Sequence, residues 1–260
     1  MRILILGAGK MGLFMSDALC MDHEVALYDV NPERLRFGFK TLRFSSADEI
    51  RAFDPEMVIN AVTVKFTIEA FRKVLPLVSP QCILSDIASV KTGLPEFYAE
   101  AGHPFVSTHP MFGPTFANLS DLSTQFAIII SESDFLGRVF FRELYKSLHL
   151  NIFEYTFAEH DETIAYSLTT PFVSTLAFTG VMKPQEAPGT TFKKHMAIAR
   201  GLLSEDDYLL TEILFNPHST SQIERIREKL GQLATLVEHR DAEGLLAYIN
   251  ESRRTVARQN

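Results

Sequence analysis

Three short segments of this sequence combine residue types that suit hydride and proton transfer. Gly7, Gly9 and Gly12 in LILGAGKMGLFMSDAL have the G-x-G-x-x-G spacing, which is typical of loops that hold the pyrophosphate of a dinucleotide. Further along, SDIASVK contains Ser89 and VSTHPMFGP contains His109. A histidine titrates near neutral pH and can accept the proton that a hydroxyl loses as its carbon becomes a carbonyl. The three segments together predict the oxidation of a carbon that bears a hydroxyl group.

The first part of the chain alternates strand-like and helical segments. Apolar runs typical of strands occur at 2–6, 24–29, 57–62, 82–88, 105–110 and 126–131, and helical patterns lie near 10–21, 66–75 and 92–101. This alternation predicts a mostly parallel sheet with helices on both faces. Because the glycine loop follows the first strand and opens a helix, we expect an α/β fold with a Rossmann-type doubly wound sheet.

After about residue 157 the strand-like runs disappear. Amphipathic helical patterns follow at 159–182, 191–203, 206–216, 218–239 and 241–258. We therefore predict two domains: a dinucleotide-binding domain at 1–157 and an all-helical domain for substrate binding and dimerisation at 158–260. The last helices have more apolar positions than they need among themselves, so we expect a homodimer through the helical domain; these positions include Leu209, Leu210, Ile213, Leu214, Leu230, Leu233 and Leu236.

The carboxylate of Asp29 bears on the choice of cofactor. Asp29 ends the second strand about 20 residues beyond the loop, where a carboxylate can accept hydrogen bonds from the adenosine ribose and repel a 2′-phosphate. This favours NAD over NADP, although Arg34 could moderate that preference. The alternative is a glycine-rich turn that binds no ligand. The residues predicted to contact the cofactor are Gly7, Gly9, Lys10, Met11, Gly12, Asp29, Val62 and Thr63.

Two later strands end in polar residues that we expect to meet at one edge of the sheet, where open α/β folds bind ligands. Ser89 and Lys91 follow one strand, and His109 lies at the end of the next. Each has a structural alternative. His109 could cap the turn before Pro110, Ser89 could cap the following helix, and Lys91 could be a solvated residue of that helix's first turn.

Composition excludes several classes of partner. The formal charge of −7 and the absence of long basic runs argue against nucleic acid. No apolar run approaches the roughly 18 residues of a membrane span, and no signal-peptide pattern is present, so we expect a cytoplasmic protein without a membrane partner. Cys20 and Cys82 lack metal-ligand spacing, so no metal site is predicted.

Four motifs, in this order and at these separations, resemble prephenate and arogenate dehydrogenases of tyrosine biosynthesis: GAGKMG, DIASVK, HPMFGP and EHDETIAYSL. The resemblance extends over essentially the whole chain, and HPMFGP after DIASVK is its most specific part. It implies NAD-dependent oxidative decarboxylation by a stand-alone dehydrogenase. It also implies that His109 accepts a hydrogen bond from the ring hydroxyl of the substrate, that Ser89 touches this hydroxyl and the nicotinamide, and that Lys91 supports the site as a substrate-binding residue.

The resemblance further implies a cation from the helical domain for the ring carboxylate. Arg200 in TTFKKHMAIARGLL matches that position best, and Lys193 lies seven residues earlier on the same helical face. The alternative is an exposed basic helix face. Where many relatives have histidine near the substrate side chain, this chain has Thr169 and its neighbours; Thr169 is predicted to contact substrate.

Several alternatives stay open from the sequence. Prephenate and arogenate differ at the side chain whose recognition is in doubt, so either is a candidate substrate. Another hydroxyacid or imine dehydrogenase of the same architecture is a second possibility, and a non-catalytic NAD-binding protein is a third. In EHDETIAYSL, His160 and Asp161 are expected to cap their helix, and in HPMFGP, Pro110 and Pro114 are expected to stiffen the turn.

Overall fold

The computed structural model describes residues 1–113 and 119–258. Within them, eight strands form one sheet in the order β3-β2-β1-β4-β5-β6-β7-β8. All neighbouring strands are parallel except β6 and β7. This confirms the predicted α/β fold with a mostly parallel sheet. The strands are β1 (Arg2–Leu6), β2 (Glu24–Tyr28), β3 (Leu42–Phe44), β4 (Met57–Asn60), β5 (Ile83–Asp86), β6 (Phe105–Pro110), β7 (Phe126–Ile130) and β8 (Asn151–Tyr155).

Helices cover both faces of the sheet, because the central strands carry apolar residues on both sides. In β1, Ile3 and Ile5 join one buried apolar cluster, while Leu4 and Leu6 join the other. Successive side chains of a strand point to opposite faces, so a continuous apolar run is buried only when both faces are covered. The helices of this region are α1 (Lys10–Leu19), α2 (Ala47–Phe53), α3 (Thr67–Val74), α4 (Leu94–Ala101) and α5 (Phe135–Ser147).

The two edge strands β3 and β8 were not predicted from the sequence. β3 has three residues, of which two are exposed, and β8 has no fully buried residue. An edge strand has only one neighbouring strand and is more exposed to water, so it does not need the continuous apolar run by which interior strands are recognised.

The remaining helices form most of the C-terminal part. They are α6 (Phe157–Ile164), α7 (Thr170–Val181), α8 (Thr190–Leu202), α9 (Asp207–Leu214), α10 (Ser219–Glu238) and α11 (Ala242–Ala257), and a π-helical turn, Ala165–Thr169, connects α6 to α7. By its contacts the chain divides into a sheet unit, Met1–Thr163 with Glu205–Glu212, and a helical unit, Ile164–Ser204 with Ile213–Asn260. The division thus falls within the helix that starts at Phe157, and α9 divides between the two units.

The helix from Phe157 to Val181 is unusually apolar. By length and composition alone its 25 residues could cross a membrane, which differs from the expectation that no segment of the chain is long enough. The core helix of a soluble protein passes the same test, but here only 17% of the most apolar window is buried.

Candidate active site

Two of the three loop glycines are required by sterics, and the third faces open space. Gly7 has a φ of +94°, and a Cβ there would lie 2.9 Å from the carbonyl oxygen of Ala61. A Cβ on Gly12 would lie 1.9 Å from the carbonyl oxygen of Gly7, so α1 packs directly against the loop. Gly9 has no atom within 4 Å of its Cβ position. The loop is therefore held tightly at both ends and leaves its middle accessible to a ligand.

Asp29 fixes this loop to the end of β2. One carboxylate oxygen accepts a hydrogen bond of 2.8 Å from the backbone N–H of Ala8, and the other accepts one of 2.8 Å from that of Asn31. Each oxygen retains a further lone pair for a ribose hydroxyl. The structure thus gives Asp29 an anchoring role that the sequence analysis did not include.

A cleft of about 550 Å³ opens beside the loop. It is large enough for part of a dinucleotide, since ligand pockets typically measure roughly 300–1,000 Å³. Five of the eight predicted cofactor contacts line it, together with the exposed Arg34: Gly7, Gly9, Asp29, Val62 and Thr63. Gly12 is buried against the loop, Lys10 begins α1 as an exposed residue, and Met11 packs partly against the core.

His109 lies in β6 with 5% of its surface exposed. Its Nδ1 is 3.0 Å from Nε2 of His160, and no hydrogen bond joins it to the following turn within the described part of the chain. The alternative of a turn-capping histidine therefore finds no support. Pro110 is the last residue of β6, whereas Pro114 lies outside the described residues.

The electrostatic surroundings favour a neutral imidazole at position 109. Burial is the main cause that holds the pKa of His109 well below its ordinary value, and electrostatic interactions with His160 and Lys91 lower it further. Burial also lowers the pKa of His160, partly opposed by its hydrogen bond to Asp161. A neutral imidazole has one free lone pair and can accept a proton at neutral pH.

Lys91 is fully buried, so the alternative of a solvated helix residue is wrong, and the structure gives no support to its predicted contact with substrate. Its ammonium lies 2.5 Å from Oδ1 of Asp86 and donates to the carbonyl oxygen of Thr108 at 2.8 Å. Tyr98 donates its hydroxyl to the other oxygen of Asp86 at 2.7 Å. Lys91 thus joins the end of β5 to the residue before His109, and its charge acts on the imidazole from within the protein.

Ser89 lies partly buried between β5 and α4. The residue that caps α4 is Gly93, so the alternative role of Ser89 as the helix cap is not realised. Among the described residues the Ser89 hydroxyl has no hydrogen-bond partner and remains available to a ligand.

The predicted substrate residues of the helical unit fall into two groups. Lys193 and Arg200 are both exposed on α8, and neither forms a side-chain hydrogen bond or ion pair within the described residues. Thr169 is fully buried and shares its hydroxyl with Ser219 at 2.8 Å and with the carbonyl oxygen of Ile213. The structure therefore gives Thr169 a packing role and does not support the predicted substrate contact.

The contact between His160 and His109 was missed from the sequence, because His160 and Asp161 were expected to cap their helix. That cap is instead a capping box, in which Glu159 accepts from the backbone N–H of Thr156 and the Thr156 hydroxyl accepts from that of Glu159. The T-x-x-E pattern in TFAE could have revealed this. No cluster of metal-ligating side chains occurs within the described ranges.

Comparison with known proteins agrees with the motifs. Residues 17–126 match the family model of the prephenate dehydrogenase nucleotide-binding domain. A probable arogenate/prephenate dehydrogenase of Methanocaldococcus jannaschii is 23% identical over 212 residues, which cover 76% of this chain and 47% of that protein. The nucleotide-binding part of the chain is thus similar to that of prephenate dehydrogenases, and the chain is similar to an arogenate/prephenate dehydrogenase over most of its length. It spans about half the length of this curated relative.

Solved structures named for this family share its fold along the whole chain. The prephenate dehydrogenase of A. aeolicus, in complex with hydroxyphenyl propionate and NAD+, has a TM-score of 0.84 at 19% identity and covers 100% of this chain and 98% of that one. The arogenate dehydrogenase of Synechocystis has a TM-score of 0.81 at 16% identity, with 100% of both chains covered. Solved structures named for either substrate thus have the same fold as this chain.

Proposed function

We propose that the protein is an NAD-dependent prephenate dehydrogenase that converts prephenate to 4-hydroxyphenylpyruvate in tyrosine biosynthesis. The observation that carries the proposal is the buried His109 near the end of β6, whose pKa is held well below its ordinary value by burial, in the same unit as the nucleotide cleft. In open α/β sheets, ligands bind at the carboxyl ends of the strands. Arogenate, which would give tyrosine directly, is the second candidate, because relatives are named for both substrates.

The chain's own residues account for the proton movements of this reaction. Nε2 of His109 accepts the proton of the ring hydroxyl, and Ser89 hydrogen-bonds to the same oxygen. NAD supplies the acceptor for the hydride that leaves ring C4. As the carboxylate departs as carbon dioxide, its bonding electrons make the ring aromatic, and His109 returns the proton to the phenolate oxygen. No net proton is produced, so the histidine is neutral again at the end of the cycle.

The cleft fits NAD in three respects. The missing Cβ of Gly9 leaves room for the pyrophosphate, and the N-terminus of α1 offers backbone donors to it. The carboxylate of Asp29 has lone pairs left for the ribose hydroxyls and would repel a 2′-phosphate. Arg34 lines the same cleft and would attract such a phosphate, so NADP is the comparison that tests this preference.

Arg200 is our candidate for the ring carboxylate. Its guanidinium is exposed and free of ion pairs within the described residues, and the bidentate geometry of a guanidinium fixes a carboxylate in direction as well as charge. Lys193 on the same helix is the alternative cation. Arg200→Lys should raise KM for the substrate more than Lys193→Gln does, and the opposite order would assign the carboxylate to Lys193.

Initial rates with prephenate and with arogenate, each against NAD and NADP, test the proposed function. We expect the highest kcat/KM with prephenate and NAD. Tight NAD binding without turnover of either substrate would refute it and favour a non-catalytic nucleotide-binding protein. As a further check, His109→Asn should lower kcat by about 100- to 10,000-fold while the Kd for NAD stays unchanged. An equal loss of both would identify a structural histidine.

A second copy of the chain is our proposed partner, and the cytoplasm the proposed location. Large apolar side chains are exposed on the helical unit, among them Val181, Ile198, Leu230 and Leu246, and burying them in a dimer would remove them from water. Size-exclusion chromatography with light scattering should give twice the chain mass. Val181→Asp with Leu230→Asp should shift the mass toward the monomer. A monomer in both cases, or wild-type protein that sediments with lipid vesicles, would refute the proposal.

A further inference from the structure

Asp161, His160 and His109 form a continuous hydrogen-bonded chain that ends at the proposed base. Oδ1 of Asp161 lies 3.1 Å from Nδ1 of His160, and Nε2 of His160 lies 3.0 Å from Nδ1 of His109. Both imidazoles are buried, and the side chain of Asp161 is 31% exposed. Within the described residues, Nε2 of His109 makes no hydrogen bond.

This order of atoms determines which ring nitrogens carry protons. An ionised carboxylate can only accept, so Nδ1 of His160 must be the protonated nitrogen. In a neutral imidazole the other nitrogen, Nε2, is then an acceptor. It can accept only from a protonated Nδ1 of His109, which leaves Nε2 of His109 with a free lone pair. The hydrogen bonds from Asp161 through His160 to His109 therefore select the His109 tautomer that can accept a proton from substrate.

Burial and the Lys91 ammonium favour this neutral form of both imidazoles, although the carboxylates of Asp86 and Asp161 oppose them at His160. The Lys91 ammonium acts on both rings and disfavours a second proton on either. Asp86 pairs with Lys91, and Asp161 accepts from His160. With protons fixed at one nitrogen per ring, the direction of the hydrogen bonds is set by Asp161 alone.

We propose that His160 and Asp161 are positioning residues that hold His109 in its Nδ1–H tautomer, so that its unprotonated Nε2 can accept from the substrate hydroxyl. The proposal rests on the proposed function for the identity of the substrate, but the tautomer itself is a property of the free protein. It gives the histidine and aspartate of EHDETIAYSL a role in place of the helix cap expected from the sequence.

Asp161→Asn is the decisive variant. An amide can donate as well as accept, and where it donates to Nδ1 of His160, the His160 proton moves to Nε2 and both hydrogen bonds reverse. The His109 proton then lies on Nε2. That nitrogen can no longer accept the proton of the substrate hydroxyl. We expect kcat to fall about 10- to 100-fold, less than in a fully buried triad because water reaches this carboxylate, with KM and the Kd for NAD unchanged. Glu162→Gln removes the same charge from an exposed neighbour on α6 and should keep wild-type kcat.

Nitrogen-15 NMR of histidine-labelled protein provides a readout that needs no substrate. The chemical shifts of the two ring nitrogens, assigned with His109→Asn and His160→Gln, identify the protonated atom of each imidazole. We expect His109 in the Nδ1–H form in the wild type and in His160→Gln, whose amide oxygen can still accept, and in the Nε2–H form in Asp161→Asn. Asp161→Glu should restore the wild-type form and part of kcat.

An Nε2–H tautomer of His109 in the wild type, or unchanged tautomer and kcat in Asp161→Asn, would overturn the proposal. If the wild type shows the expected tautomer but turns over neither prephenate nor arogenate, the proposed function fails while the positioning role stands. The two conclusions are thus tested separately.

Discussion

Replacing Lys91 by methionine tests whether this residue supports the site from within the protein or binds substrate. The Lys91 and Asp86 side chains are both fully buried, and the ammonium has Asp86 and the carbonyl oxygen of Thr108 as partners. Methionine preserves much of the aliphatic packing and removes the charge together with the two hydrogen bonds of the ammonium. We therefore expect a loss of stability rather than a loss of substrate affinity.

The size of this loss follows from what remains around Asp86. Removing one partner of a buried ion pair typically costs about 3–5 kcal/mol, because the other charge stays buried without compensation. Asp86 still accepts hydrogen bonds from the Ala88 N–H at 3.0 Å and from the Tyr98 hydroxyl at 2.7 Å. These two donors favour the lower end, about 3 kcal/mol. Adding Asp86→Asn to Lys91→Met should restore most of the stability, since no charge is then left unpaired.

Urea unfolding followed by far-UV circular dichroism and by the tyrosine near-UV signal measures this effect, provided that the two transitions coincide. Lys73→Met is the matched control, because it breaks an exposed pair with Glu69 and should leave the midpoint unchanged. Kinetics with prephenate then separate the two roles. Unchanged stability together with a raised KM would show that Lys91 binds substrate and would refute the structural argument.

Three further outcomes follow from local geometry. Gly12→Ala should abolish NAD binding and lower the melting temperature, because its Cβ would lie 1.9 Å from a loop carbonyl oxygen. Gly9→Ala should fold normally and lose only NAD affinity, because nothing lies within 4 Å of its Cβ position. Equal melting temperatures of the two variants in calorimetry would contradict this. Gly137→Ala should destabilise the sheet unit by about 1–3 kcal/mol in urea unfolding, because its Cβ would lie 2.6 Å from Cβ of Val106. This clash should outweigh the higher helix propensity of alanine. A more stable variant would show that α5 can shift. The wild-type kcat/KM should stay constant through neutral pH and fall only in acid, because His109 must be unprotonated and burial holds its pKa well below 6.5; a decline centred near 6.5 would indicate a solvated base.

The parts of this protein that the sequence predicted are those governed by local pattern. A buried strand of a parallel sheet is largely apolar on both faces, so β1, β2, β4, β5 and β7 were recognised from composition, and β6 was recognised from its place in the alternation of strands and helices. The glycine loop was recognised because its requirements are local. Gly7 allows the tight turn and Gly12 allows the close packing of α1, and the two lie only five positions apart. The location of His109 at a strand end also follows from local pattern. Its proposed role was inferred from the other motifs that occur in the same sequence.

Tertiary structure alone decided the surroundings of that histidine. His109 and His160 are 51 positions apart in sequence, and Lys91 reaches Thr108 across 17 positions. A sequence pattern reports whether a side chain fits its own helix or strand, but it does not report which distant side chain will face it. Lys91 therefore looked like a solvated or ligand-binding residue, and His160 and Asp161 like a helix cap. Only the packing of α6 against the end of β6 turned them into the partners of the proposed base.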